Sequence, residues 1–175
     1  MALTTVDYKS RQVAKNQSTA IADANLLDLY GRADHILVVP FDYTNTTATD
    51  NPDNDTIAAN SVISMALLKN CQILPTSFLH WAAFGASRTL NFGIQEYTKG
   101  DLTVVSATED TVIDGLDVSA AGNSTFLAAA GTNGDTGGRD GILIDGESEL
   151  LMKVLGGTLP TNAYVRGFLH IKLLS

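Results

Sequence analysis

Residues 71–97 read CQILPTSFLHWAAFGASRTLNFGIQEY, and the period of this stretch decides the fold. A proline at 75 marks a turn, an apolar run follows, a second turn falls at "GAS", and alternating residues come after it. "SFLHWAAFG" and "RTLNFGIQEY" therefore read as two successive strands. Their join is short, and Gly85 can supply a backbone conformation closed to most residues. Phe78, Trp81 and Phe84 are expected to fill core volume. His80 is expected to face away from the packing partners of Trp81 or to make a local hydrogen bond.

The flanking sequence extends the pattern. On the N-terminal side, "NSVISMALLKNCQILP" alternates well enough in its first part to be a strand. "DHILVVPFDY" (34–43) is another, and Pro40 inside it removes a ladder donor, which suits an edge strand or a bulge. Before it, "ANLLDLYGRA" fits a turn of helix ended by Gly31 or another short strand. On the C-terminal side, "DTVIDGL" (110–116) is ambiguous, with a short helix starting at an Asp cap as one reading. "NSTFLAAAG" fits a strand or a helical turn. "ILIDGESELLMKVLGG" reads as strand, "DGE" turn and strand. In the final segment Tyr164, Arg166, Phe168, His170 and Lys172 alternate with Val165, Leu169, Ile171 and Leu173, the period of two expected of a strand. About eight short strands joined by polar turns point to an all-β fold, an antiparallel β-sandwich with the jelly roll as one arrangement of it.

Composition sets the outer bounds. The chain has 175 residues, 45% hydrophobic and only 17% charged. That suits one domain with a real core, and a surface partly covered by partners. Residues 26–175 are expected to form that single domain, and residues 1–25 an extended N-terminal arm, polar and small, that orders on a neighbour. In the arm Leu3, Val6, Tyr8, Lys9, Arg11, Val13 and Lys15 are the candidate partner-binding residues. The net charge of −8 and pI near 4.6 argue against a phosphate-binding surface, so no nucleic-acid partner is expected beyond a minor contact through the basic arm. No apolar run is long enough to span a bilayer, and the N-terminus lacks the pattern of a secretion signal, so no membrane partner is expected and synthesis in a cytoplasm is.

Chemistry finds little purchase. His35, His80 and His170 each fall in an expected strand, and their spacing matches no zinc motif. Cys71, the single cysteine, excludes an intrachain disulfide and reads as a buried, inert thiol. The polar loop "TNTTATDNPDNDT" (44–56) holds Asp50, Asp53 and Asp55. They are carboxylates a calcium ion could use, but without the spacing, glycine and closing glutamate of an EF-hand, so a solvated loop is the plainer reading. "GTNGDTGGRDG" lacks the G-K-[ST] of a phosphate loop and reads as a flexible tip. No G-x-S-x-G elbow is present. No catalytic residue, cofactor or metal is expected, and the chain is not read as an enzyme.

These pieces resemble a recurring small structural protein of tailed bacteriophages. The carriers are "ILPT" at Ile73–Thr76, "GASRTLNFG" at Gly85–Gly93, "STFLAAAG" at Ser124–Gly131, "DGESEL" at Asp145–Leu150 and the last strand, Tyr164–Leu173. The resemblance covers residues 60–175 and departs from the family's pattern at "ILPTSF" and in the long N-terminal part. It implies a virion component of sandwich or jelly-roll type: a capsid decoration (cement) protein or the base of a head fibre. The implied partners are the major capsid protein lattice and further copies of the chain, a homotrimer at a three-fold or quasi-three-fold axis. The implied location is the capsid surface. Two alternatives stand beside it. One is a tail or neck structural protein. The other is a carbohydrate-binding sandwich, with Tyr43, Trp81 and Tyr97 as the aromatic candidates and Trp81 reading first as core.

Overall fold

β-branched and aliphatic side chains fill Val62–Ile73, and this segment becomes the strand around which the molecule is organised. The computed structural model describes residues 8–9, 36–45, 59–130 and 141–174. In chain order the strands are β1 (Tyr8–Lys9), β2 (Ile36–Thr44), β3 (Val62–Ile73), β4 (Phe78–Trp81), β5 (Thr89–Ile94), β6 (Tyr97–Thr98), β7 (Val104–Val105), β8 (Thr108–Asp117), β9 (Gly122–Thr125), β10 (Ile142–Leu155) and β11 (Tyr164–Leu173). One short helix, α1 (Phe126–Ala130), follows β9.

Nine strands share one sheet in the order β8-β5-β10-β3-β11-β4-β9, with β1 beside β3 and β2 beside β11; β6 and β7 pair separately. Every described pairing is antiparallel except β1 with β3. The strands at the two ends of that order, β8 and β9, are joined in sequence by the short link Val118–Ala121. A flat sheet cannot satisfy so short a link, so the sheet curls until its ends meet. α1 packs against β8, and the Phe126 ring lies 6.0 Å from that of Phe92 on β5, closing the seam. The two halves of the curl face each other over a core that includes Phe41, Met65, Leu68, Leu79, Phe84, Leu90, Phe92, Phe126 and Leu169. This is the all-β, antiparallel class expected from the pattern, with the two layers made from one sheet.

Several local expectations are corrected. Asp110–Leu116 is strand, not helix: Leu116 pairs with Leu90 and Ile113 with Phe92, and the Gly115 N–H donates to Asn91 Oδ1 at 2.8 Å. Pairing with β5 outweighs the local capping signal, as tertiary context often does. "DGE" does not reverse the chain. β10 runs through it unbroken, and the register slips between Ile144 and Glu147, a bulge. Gly146 serves close approach there, since a Cβ would lie 2.5 Å from the Thr98 carbonyl oxygen and 2.7 Å from Tyr97 Cδ2. "NSTFLAAAG" resolves into both of its readings: β9 ends at Thr125, whose Oγ1 accepts from the Ala128 N–H at 3.2 Å and caps α1.

Other expectations hold. β2 pairs only with β11 among the described strands, so Pro40 does sit on an edge. Gly85 has φ +92°, the left-handed backbone the turn requires. Ser77 fixes the preceding turn: its buried Oγ donates to Leu74 O at 2.8 Å and accepts from the His170 N–H at 3.0 Å.

Candidate functional site

The alternation that buries one side of β2, β11 and β4 leaves the other side outward. Register makes this face explicit. Thr44, Asp42, Pro40, Val38 and Ile36 on β2 stand opposite Tyr164, Arg166, Phe168, His170 and Lys172 on β11. On the other flank Arg166 faces His80 and Phe168 faces Phe78 of β4, which in turn face Asn123 and Thr125 of β9. At the far end Lys172 pairs with Gln72 of β3, and Gln72 with Leu143 of β10.

Ring contacts tie the face together. Phe78 stacks on Phe168 at 5.5 Å, and Phe168 lies 5.1 Å from the His170 ring. The Nδ1 of His170 is 2.9 Å from Thr76 Oγ1. His80 meets Tyr164 edge-on at 5.0 Å, and the Arg166 guanidinium sits 4.6 Å above the Tyr164 ring. Beyond these rings Ile36 is 61% exposed, Val38 59% and Leu143 57%. The face carries both signs: Arg166 and Lys172 on β11, Asp42 on β2 and, two residues on from Leu143 along β10, the exposed Asp145.

Other candidates from the sequence fall elsewhere. Tyr43, Trp81 and Tyr97 are buried, and Trp81 donates its Nε1–H to Ala120 O at 2.9 Å. They make no sugar-stacking platform, because each lies on the inward phase of its strand. Phe78 is corrected from core to surface: in Phe78–Trp81 it is Leu79 and Trp81 that point inward, so Phe78 and His80 point out. Cys71 is buried, and burial pushes its thiol up to about 11, well beyond the range of a reactive cysteine. Asp101 and Asp117 are held below the usual carboxylate range by the N–H groups of Thr103 and Ser119, which they accept at 2.9 and 2.8 Å; these are turn contacts. Among the described residues, no three His, Cys, Asp or Glu side chains are grouped to hold a metal ion. Asp50, Asp53, Asp55 and His35 lie outside the described residues, as do Leu3, Val6, Arg11, Val13 and Lys15 of the arm. Tyr8 and Lys9 form β1, in register with Ile63 and Ser64.

The exposed face was legible in part. The β11 alternation names its central row, but its neighbours Ile36, Val38, Phe78 and Leu143 come from strands far apart in sequence, and only the register brings them together.

No protein-family model matches this chain, and no curated protein matches it. Its fold is similar to that of a chain in the capsid of Ralstonia phage GP4, with a TM-score of 0.54 and 14% identity, over 82% of this chain and 88% of that one. At that identity the likeness is one of fold.

Proposed function

We propose that this chain is a structural protein of a bacteriophage virion, and within that class a capsid decoration protein that binds the outer capsid lattice and stabilises it. The observation that carries the reading is the fold it shares, along most of both chains, with a component of a phage capsid. Two features support it. The outward face of β2, β11 and β4 offers apolar and aromatic side chains to a protein partner. The chain is also poor in charge, as suits a surface covered by neighbours. Many copies on a symmetric lattice sum modest contacts by avidity, and a trimer on a three-fold or quasi-three-fold axis matches the symmetry of such positions. The partners are the major capsid protein and sister copies, the location is the virion surface after synthesis in the host cytoplasm, and no catalysis is assigned.

The test is addition. Purified protein is mixed with capsids lacking it, and the particles are pelleted and imaged. Stoichiometric uptake in register with the lattice, and resistance of the decorated shells to heat, support the reading. Failure to bind capsids, with binding to tails or necks instead, overturns the decoration role.

A further inference from the structure

Strands β8, β5 and β10 lie side by side, and their outward side brings together a lysine, an asparagine and a glutamate. Leu90 and Phe92 of β5 and Met152 and Val154 of β10 belong to the core, so Asn91 and Lys153 between them project to the other side. The two are direct partners across the strand pair, a register that sets their Cβ atoms about 5 Å apart. The Lys153 ammonium is held by the Glu109 carboxylate of β8. Because β5 lies between β10 and β8, that ion pair crosses β5 on the side where Asn91 stands. β8 comes close enough for this: a Cβ on Gly93 would sit 2.6 Å from Glu109 Cα. Asn91 itself is only 7% exposed, and its Oδ1 accepts the Gly115 N–H at 2.8 Å.

We infer that Lys153 and Asn91 join in an intramolecular isopeptide bond, with Glu109 as the proton carrier. Each neighbour has a part in the step. The Glu109 carboxylate takes one proton from the Lys153 ammonium and leaves a neutral amine with a free electron pair. That pair attacks Asn91 Cγ, while the Gly115 N–H steadies the negative charge that develops on Oδ1. The Nζ–Cγ bond forms and the Cγ–Nδ2 bond breaks. The departing nitrogen takes a second proton from Nζ and leaves as ammonia, the third proton staying on the new amide. Ammonia then collects the proton from Glu109, so ammonium departs and the carboxylate is restored. Nothing is oxidised or reduced. The product ties β5 to β10 and closes the long loop between positions 91 and 153, which constrains the unfolded chain. This inference stands apart from the virion reading and does not depend on it.

The test is intact mass spectrometry of the purified full chain, followed by proteolysis. The native chain should weigh one ammonia less than its sequence, with the peptides carrying Asn91 and Lys153 still joined after digestion. Lys153→Arg keeps a cation for Glu109 but offers no amine that can react, and should restore the full mass. Glu109→Gln removes the proton acceptor and should leave most of the chain at full mass. A native chain at full mass, or one whose Asn91 and Lys153 fall on separate peptides, overturns the inference. So does a deficit that persists in Lys153→Arg, since the ammonia then comes from another side chain. The digest of the native chain decides the matter even where a variant folds poorly.

Discussion

At Ser77 one buried hydroxyl serves two strands, accepting the His170 N–H and donating to Leu74 O. Removing it leaves a buried donor without its acceptor, so Ser77→Ala should lower stability by about 1–3 kcal/mol in a denaturant titration. Cys71 makes a second prediction at this scale. Burial favours the neutral thiol, so the folded protein holds its proton to about 11 where the ordinary value is 9.0. The folded state then binds more protons than the unfolded state between those values. The contribution of Cys71 to stability is whole below pH 9 and is lost as the pH rises through 11, on the order of 2–3 kcal/mol. Cys71→Ala should flatten that part of the stability profile, and the native thiol should stay unlabelled by a thiol reagent at neutral pH until the chain unfolds.

Within single elements the phase of alternation sets the cost of each substitution. Leu79 is fully buried on β4, and Leu79→Ala should cost about 2–5 kcal/mol; its larger neighbour Phe78 faces outward, and Phe78→Ala should cost well under half as much. Parallel thermal melts of the two variants check the difference, and equal losses would place Phe78 back in the core. The same phase rule separates what the sequence reveals from what it conceals. Period two marks β11 plainly, because one side chain in two leaves water; the first part of β3 is buried on both sides, Val62–Ala66 without exception. It does not mark β8, whose apolar residues at Val112, Ile113 and Leu116 fit a helix as well as a strand until β5 pairs with them. Nor does it mark the continuity of β10, where "DGE" carries turn-forming residues but sits in a bulge that admits β6. The count of aromatic residues in Cys71–Tyr97 suggests core throughout, yet the phase within β4 sends Phe78 and His80 outward. The outward face is legible as one row of side chains and illegible as a surface, since its other rows come from β2, β3, β4 and β10.

Across the described residues, the link Val118–Ala121 between the terminal strands of the sheet requires the curl, and the curl turns one side of the long strands into core. Among the described residues, the outward side of β2, β11 and β4 carries the stacked Phe78 and Phe168 rings, and Asp110, Asp114 and Asp117 are exposed along β8. The arm expected from the sequence is tested at this scale too. On the proposal that residues 1–17 give each copy a second attachment, deleting them should weaken binding to capsids several-fold; unchanged binding would show that they take no part. Placement on a particle can be seen by cryo-electron microscopy of capsids incubated with the purified chain. Extra density is expected on the outer surface at every equivalent lattice position, into which the curled sheet fits. Shells that emerge bare after incubation with excess protein would contradict it.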